Sequence, residues 1–317
     1  MINAKVICDS VSEVGIRITT FEVEYPRIIH AELMTHRMFS RNAASSRAIP
    51  FAKMKEQLTG RPSRFGQSNP GMQDKGEDFD ALVDCLRPAS AWEAAKMDAL
   101  YWAECFNVAG YHKQVYNRLT EPFQAMKTVI TATEWDNFFW LRDDAAADPT
   151  IAELARCMRV ARDESVPKLL KIGEYHLPYV KTYRSDYGDI MYVTTPEDER
   201  TTDAKDFLTV EDAIKVSCAR SAAVSFRNVD YGVDKCIEVY NRLVGDERKH
   251  ASALEHQATP MYNYSGKTFG RTNDPRIPST WQNGISHADK NGQLWSGNFR
   301  GYIQFRKTLA GENYTGA

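Results

Sequence analysis

The sequence predicts a protein that combines helices and strands, and three segments carry that prediction. Residues 17–23 (RITTFEV) are rich in β-branched and aromatic side chains, as strands are, and Pro26 ends the run. Residues 90–108 begin with the capping-box pattern Ser-Ala-Trp-Glu, which predicts a helix. Residues 232–245 place apolar side chains on one stripe at helical spacing.

The remaining elements follow from local patterns. Residues 27–37 carry apolar side chains at mixed three- and four-residue spacing, which predicts a helix. The polar run 40–47 predicts a loop, and the glycines and prolines of residues 59–79 predict a long loop. Asp148 followed by Pro149 predicts the start of a helix. Further expected elements are helices at 111–127, 151–171, 211–226 and 298–309, a short extended piece at 129–133, and a strand or loop at 178–194.

Composition narrows the class of protein. With 42 acidic and 40 basic residues the net charge is −2, which disfavours a non-specific nucleic-acid coat. The six cysteines form no C-x-x-C pair, so neither a structural zinc site nor a disulfide scaffold is expected. No stretch approaches the ~18 apolar residues of a membrane span, and we expect a cytoplasmic protein without membrane contact.

The most informative polar segment is residues 36–47 (HRMFSRNAASSR). It concentrates arginines, serines, a histidine and an asparagine immediately after a predicted helix. Serine hydroxyls, loop N–H groups and arginine guanidinium groups are the groups that bind phosphate. The alternative is a solvated loop with polar caps, which composition alone favours.

Other polar clusters carry similar alternatives. On the helix predicted at 111–127, Gln114 and Arg118 share a face. This face could bind a nucleotide, and the alternative is an exposed charged surface. Residues 137–142 (NFFWLR) set an arginine against aromatic rings, so that it meets an anion or makes a cation–π contact. His250 and His256 are six residues apart, roughly 240° around a helix, so no metal site is expected.

Together these clusters resemble the flavin-dependent thymidylate synthases. That family's signature is R-H-R, seven residues and then S, with an inner S-x-N and a final S-x-R. The corresponding positions here are Thr35, His36, Arg37, Ser40, Asn42, Ser45 and Arg47, and all of them except Thr35 match the signature.

Four further segments resemble parts of the same family. The Arg118 segment is similar to a nucleotide-binding helix, and NFFWLR is similar to the family's N-F-L-x-L-R. Residues 219–226 and 250–256 resemble segments that contact the flavin. In the family those two precede the signature, whereas here they follow it, so the chain resembles a circularly permuted, phage-like member.

The resemblance implies a fold, an assembly and an activity. The expected fold is α/β, one domain with a central sheet and packed helices, with an unmatched insertion at 51–105 and an unmatched extension at 258–317. The expected assembly is a homotetramer with shared active sites. The expected reaction is reductive methylation of dUMP at C5 with FAD, NADPH and methylenetetrahydrofolate.

Residue roles are carried over from the matched positions. Arg142 would be the catalytic residue, since it would polarise the pyrimidine. The residues expected at the nucleotide are Glu32, Ser45, Arg47, Arg118 and Arg142. The residues expected at the flavin are His36, Arg37, Asn42, Asn137, Ser225, His250 and Ser252.

Three departures from the family pattern leave the substrate open. Thr35 replaces an arginine, Glu32 replaces a glutamine, and Ala43 replaces an acidic residue. Cytosine presents an amino donor where uracil presents a carbonyl, and a carboxylate prefers a donor. Methyl or hydroxymethyl transfer to dCMP is therefore an alternative, and a non-catalytic nucleotide-binding homologue is another.

Overall fold

The computed structural model describes residues 2–70, 76, 78–193, 207–224, 232–245, 249–262 and 272–313. The strands are β1 Asn3–Ser12, β2 Arg17–Pro26, β3 Ser40–Ala43, β4 Ala125–Ala132, β5 Lys168–Leu170, β6 Lys181–Arg184, β7 Ile190–Val193, β8 Phe207–Leu208, β9 Ala258–Pro260, β10 His287–Ala288, β11 Leu294–Ser296, β12 Phe299–Arg300 and β13 Tyr302–Gln304. The helices are α1 His30–Leu33, α2 Phe51–Lys55, α3 Pro88–Val108, α4 Lys113–Tyr116, α5 Asp136–Arg142, α6 Pro149–Asp163, α7 Val210–Ala223 and α8 Val233–Gly245. The 3₁₀ turns include Arg27–Ile29, Asn117–Phe123, Ala251–Leu254, Pro278–Thr280 and Phe305–Thr308.

The largest sheet has the strand order β3-β4-β2-β1-β5. Its neighbouring strands are antiparallel except β1 and β5, which pair in parallel. Smaller sheets join β6-β7-β8, β10-β11-β12 and β9 with β13. The predicted mixture of helices and strands is confirmed.

One face of the large sheet is apolar. Phe21 of β2 pairs directly with Ile130 of β4 and with Val6 of β1, so these three side chains point to the same side. Helices α5 and α6 cover this side with Phe138 and Met158, among other buried residues of the same core. The result is the main hydrophobic core, formed between the sheet and two helices.

The opposite face carries a row of small polar side chains. Ser40 of β3 pairs with Thr131 of β4, Thr131 pairs with Thr20 of β2, and Thr20 pairs with Cys8 of β1. We call Ser40, Thr131, Thr20 and Cys8 the polar row. Its two threonines and Ser40 are fully buried, so their hydroxyl groups need hydrogen-bond partners within the protein.

A second layer, built from the later part of the chain, covers the polar row. Helices α7 and α8 form their own core with Leu177, Val180 and Leu254. Strand β13 then pairs with β9 at Ile303 and Thr259. None of the helices in the described part of the chain combines the length and the hydropathy that crossing a bilayer requires.

Two buried histidines complete the polar row. The Thr20 hydroxyl lies 2.7 Å from Nε2 of His176 and 2.7 Å from the Thr131 hydroxyl. The Thr131 hydroxyl lies 2.8 Å from Nδ1 of His256. The chain of hydrogen bonds therefore runs from one imidazole through two hydroxyls to the other. Burial lowers the pKa of both histidines to about 3, so both are neutral at physiological pH.

Several predicted elements are confirmed. The strand predicted at 17–23 is β2, and the extended piece at 129–133 lies within β4 apart from its last residue. Helix 232–245 is α8, and the Asp148 side chain caps α6 by accepting the N–H groups of Thr150 and Ile151. Helix α7 matches 211–226 as far as the described residues reach, and 178–194 contains β6 and β7.

Two predicted helices are much shorter than expected. The helix expected at 27–37 is a 3₁₀ turn followed by α1, which ends at Leu33. The helix expected at 111–127 ends at Tyr116, and a 3₁₀ turn containing Pro122 leads into β4, because proline disrupts a helix interior. Arg118 therefore lies on a 3₁₀ turn instead of sharing an α-helical face with Gln114.

Two further helices differ at their ends. Helix α3 begins at Pro88 with no side-chain cap, so the pattern at Ser90 is not a capping box. Helix α6 ends at Asp163, before the predicted end at 171, because Lys168–Leu170 pair with β1.

Two segments proved to be strands. The loop expected at 40–47 begins with β3, whose polar residues Ser40 and Asn42 are buried and hydrogen-bonded. The helix expected at 298–309 is instead β12, β13 and a 3₁₀ turn. Gly297 and Gly301 have positive φ there, which favours a hairpin over a helix.

The buried histidines predict a loss of stability in acid. Their pKa is lower in the folded protein than the ordinary 6.5, so the unfolded chain binds more protons at pH 5. The free energy of unfolding is greatest above about pH 6.5. It decreases as the pH is lowered, by about 2 kcal/mol per histidine between pH 7 and pH 5. In urea titrations at pH 7 and pH 5, the free energy of unfolding should decrease by about 2 kcal/mol less in His256→Gln than in wild type. The exposed His287→Gln is the control, and an equal loss in wild type and His256→Gln would contradict the linkage.

Candidate functional site

The C-terminal end of α5 brings Arg142 onto the segment that follows β2. The Arg142 Nε donates to Nε2 of His36 at 2.9 Å, and a terminal N–H donates to the Glu32 carboxylate at 3.2 Å. The Arg142 side chain is 22% exposed, so the guanidinium is largely withdrawn from water yet reachable. Phe138 and Phe139 of α5 are buried in the main core and hold the helix in this position.

His36 is a neutral imidazole in this cluster. Its Nε2 accepts the hydrogen bond from Arg142, so the ring proton is on Nδ1. Burial lowers the pKa of His36 to about 4, and the nearby Arg142 and Arg41 contribute to the same shift. The ring contacts Phe138 edge to face, with 4.9 Å between centroids. The site therefore offers guanidinium donors, a carboxylate and an uncharged imidazole side by side.

Asn42 of β3 links the signature segment to the second layer. Its side-chain amide donates to the Ser221 carbonyl at 2.6 Å, and its carbonyl accepts from the Ser252 hydroxyl at 3.2 Å. Ser221 belongs to α7, and Ser252 belongs to the 3₁₀ turn that follows His250. Three segments that are distant in sequence thus meet at one buried amide.

The segment after β3 packs on the 3₁₀ turn that carries Arg118. The Asn117 amide donates to the carbonyls of Ser46 and Ile49 at 2.8 and 3.0 Å. Ser46 also donates to the Glu121 carboxylate at 2.8 Å. Three of the residues expected to bind phosphate stand on these two adjoining segments, with Arg47 and Arg118 exposed and Ser45 half-buried.

The remaining predicted site residues are at the surface. Arg37 is exposed in the turn after α1, Asn137 is exposed on α5, and His250 is exposed before its 3₁₀ turn. Ser225 lies outside the described residues. The structure thus brings together Glu32, His36 and Arg142, and it also brings Asn42 to Ser252. Among the described residues, no direct contact of Arg37, Asn137 or His250 with these five residues is observed.

Sequence reasoning missed a contribution from the C-terminal segment. The Gln304 amide donates to the Ser40 hydroxyl at 3.1 Å and to the Asn298 carbonyl oxygen at 2.9 Å. Asn298 in turn donates to the Met38 carbonyl at 3.1 Å. The overlooked signal is Gly297-Asn298 between two short strands, which is the composition of a two-residue hairpin turn. These contacts hold the turn between His36 and β3.

A second overlooked contact is between Cys8 and His176, whose Sγ and Nδ1 are 3.3 Å apart. The distance resembles that of a catalytic thiol–imidazole pair. Burial, however, raises the pKa of Cys8 to about 12 and lowers the pKa of His176 to about 3. Each shift favours the uncharged form, so the thiolate required of a nucleophile is not stabilised.

Known proteins resemble this chain only in part. No family model matches the sequence, and no curated protein matches it. Similar solved structures include two of the flavin-dependent thymidylate synthase ThyX from Helicobacter pylori with FAD and dUMP. Each is 19% identical, covers 46% of this chain and 67% of that chain, and has a TM-score of 0.33. At this TM-score, the function has to be argued from the side chains of this chain.

Removing the Gln304 amide should destabilise the protein. Gln304→Ala removes two hydrogen bonds, one to the buried Ser40 hydroxyl and one to the Asn298 carbonyl oxygen, which still accepts from Ser40; two such bonds contribute about 1–3 kcal/mol together. Urea unfolding at neutral pH measures the change, with the exposed Gln67→Ala as control. Equal stability of Gln304→Ala and wild type would show that the hydrogen bonds contribute nothing.

The charge of Arg142 should be visible in the titration of His36. Arg142→Met removes a neighbouring cation and a hydrogen-bond donor to the unprotonated ring, so the pKa of His36 rises from about 4. NMR titration of the His36 ring protons measures this shift. Arg156→Met on α6 is the matched control, and an unchanged His36 titration in Arg142→Met would disprove the contact.

Proposed function

We propose that the protein is a flavin-dependent enzyme that methylates dUMP at C5, using FAD, NADPH and methylenetetrahydrofolate. The contact between Arg142 and His36 carries the proposal. The two residues are 106 positions apart in sequence, and each belongs to a different segment that resembles the flavin-dependent thymidylate synthases. Their direct hydrogen bond supports the assignment of both segments to one site.

Two other contacts support the same assignment. Asn42 and Ser252 are 210 positions apart and share a hydrogen bond, which joins the signature segment to a predicted flavin segment. Asn117 holds the carbonyls of Ser46 and Ile49, which joins the signature segment to the predicted nucleotide-binding turn. The segments that contain Arg142, Ser252 and Asn117 therefore each contact residues 32–49.

In the proposed mechanism the chain orients the nucleotide and stabilises charge. Arg142 donates from its remaining N–H groups to the pyrimidine carbonyl, which withdraws electrons from the ring while Glu32 and His36 hold the guanidinium in place. Arg47 and Arg118 are exposed cations on adjoining segments and would bind the phosphate together with Ser45. Correct positioning by these groups is the main contribution of a protein to cofactor-dependent transfer.

The residues available for the flavin fit a polar heterocycle. His36 offers a neutral Nδ1–H, and the Ser252 hydroxyl is exposed beside Asn42. The remaining residues proposed at the cofactor are Arg37, Asn137, Ser225 and His250. These residues would hold FAD, which would supply hydride-transfer and one-carbon-transfer chemistry at the site.

The contact between Glu32 and Arg142 favours a second candidate, a flavin-dependent enzyme acting on dCMP. One Glu32 oxygen accepts from Arg142 at 3.2 Å, and the carboxylate is 42% exposed, so it can accept a further donor. The exocyclic amino group of cytosine is such a donor, and uracil has a carbonyl at that position. Glu32 at this place is therefore compatible with methyl or hydroxymethyl transfer to dCMP.

A visible spectrum and product masses test the proposal. The purified protein should be yellow or should gain flavin absorbance when FAD is added. Parallel incubations with dUMP and with dCMP, each with methylenetetrahydrofolate and NADPH, should give dTMP from the first. Product from dCMP alone would establish the second candidate. Nucleotide binding without any product would indicate a non-catalytic homologue, and a protein that takes up no flavin would refute both enzymes.

Arg142 should be required for turnover. Arg142→Ala removes a charge-assisted hydrogen bond worth about 2–5 kcal/mol, which corresponds to a loss of roughly 30-fold to several thousand-fold in kcat/KM. Arg156→Ala is the matched control, because that arginine is exposed on α6 and pairs with Asp143. Wild-type turnover in Arg142→Ala would remove Arg142 from the mechanism.

A further inference from the structure

A cavity lies beside β1 and β5, between the large sheet and the second layer, and its volume is about 240 Å³. Strand β5 pairs with residues 10–12 of β1, whereas the cavity is lined by residues 6–10 of that strand. The pairing of β1 with β2 skips Ile7, which forms a β-bulge in the cavity wall. Such bulges are frequent at sheet edges and beside functional sites, so we call this space the β1 cavity and ask what it can hold.

The interior of the β1 cavity is apolar. Leu170, Leu177 and Val180 line it and are 1%, 1% and 7% exposed. Half-buried Val6 and Ile190 extend the same apolar wall. Contact with the aliphatic part of a ligand in place of water is favourable for such a wall.

The mouth of the β1 cavity carries a cation that has a donor left for a ligand. Lys168 lines the cavity and is exposed, and its Nζ donates to the carbonyl and the hydroxyl of Thr182 at 2.6 and 3.1 Å. Both of these acceptors are uncharged. A lysine ammonium has three N–H donors, so the third can bind an anionic group.

The acidic residue in the lining is compensated within the protein. Asp9 accepts two hydrogen bonds from Arg17, at 3.0 and 2.6 Å, and one from the Thr19 hydroxyl at 3.0 Å. Its side chain is only 4% exposed. Because Arg17 neutralises Asp9, the charge that the lining presents to a ligand comes from Lys168 and Lys181 and is positive.

The volume of the β1 cavity limits the size of its ligand. At about 30 Å³ per non-hydrogen atom, the volume of one molecule in liquid water, 240 Å³ holds about eight such atoms. A nucleotide is much larger than this. A linear carboxylate of about six carbons has the required size, an apolar body for the interior and one anionic group for a lysine.

We propose that the β1 cavity binds a small aliphatic carboxylate, with the carboxylate at Lys168 and the chain among Leu170, Leu177 and Val180. The cavity lies at β1, whereas the cluster of Arg142 and His36 lies next to β3. The strand order places β4 and β2 between them, a separation of three strand spacings or about 14 Å. The proposal therefore does not rest on the proposed function.

Isothermal titration calorimetry of the full chain with butanoate, hexanoate and decanoate tests the ligand class and the size limit. Affinity should rise about fourfold per methylene group from butanoate to hexanoate, as each group leaves water. Decanoate should gain little beyond hexanoate, because the end of its chain would extend out of the cavity. Hexan-1-ol, which has the same chain without the charge, should bind at least about tenfold more weakly than hexanoate.

Variants of the lining test where the carboxylate and the chain bind. Lys168→Met should weaken hexanoate binding about tenfold or more, because it removes the charged donor. Lys53→Met is the matched control, since Lys53 is an exposed lysine on α2 outside the cavity. Ile190→Trp should abolish binding by filling the cavity, and circular dichroism melting shows whether that variant folds.

NMR of the histidine rings locates the ligand independently of the variants. Ser10 lines the β1 cavity, and its hydroxyl lies 2.9 Å from Nδ1 of His176. Hexanoate should therefore shift the ring signals of His176 and leave those of the exposed His287 unchanged.

The outcomes either support or overturn the site. Saturable hexanoate binding that levels off with chain length, weakens in Lys168→Met and persists in Lys53→Met supports it. No saturable binding at millimolar hexanoate overturns it, as does equal affinity in Lys168→Met and wild type. Affinity that keeps rising through decanoate, or ring shifts at His287 without shifts at His176, would indicate binding elsewhere and would also overturn it. If Ile190→Trp does not fold, the chain-length series and Lys168→Met decide the question.

Discussion

The polar row across the sheet is the constraint on which the rest of the structure depends. Ser40, Thr131 and Thr20 are fully buried side by side, and an unsatisfied buried hydroxyl costs about 1–3 kcal/mol. Their partners outside the row all come from the later part of the chain, as His176, His256, Asn298 and Gln304. These directional hydrogen bonds hold the second layer in the observed register, in which each of the three hydroxyls has a partner. An apolar face would tolerate sliding, since apolar contacts are not directional.

The same constraint positions the candidate site. Strand β3 carries Ser40 into the polar row and Asn42 against Ser252, and the turn preceding β3 carries His36. Because β3 is held from both sides, His36 meets Arg142 at the end of α5, which is fixed by the main core on the other face of the sheet. The site thus lies beside the sheet, between the turn that precedes β3 and the C-terminal end of α5, and it is partly exposed to water.

Buried neutral groups stabilise the fold, whereas charged groups at the surface are available to bind a ligand. His176, His256 and Cys8 are held uncharged by burial, so the sheet contains hydrogen-bonded groups without net charge. The cations of Arg47, Arg118 and Arg142 remain at or near the surface, where an anionic ligand can reach them.

The amino-acid sequence by itself determined the mixture of helices and strands, β2, α8 and the cap of α6, because these depend on local patterns. The resemblance of two distant segments to one family led to the expectation that Glu32, His36 and Arg142 belong to one site. Only the tertiary structure decided that residues 40–43 form a strand, that 298–309 do not form a helix, and that Gln304 supports Ser40. Polar side chains favour a loop when considered locally. In β3 they are buried because partners far along the chain satisfy their hydrogen bonds, from 179 positions away in the Asn42–Ser221 pair to 264 in the Ser40–Gln304 pair, and the local sequence contains no record of such partners.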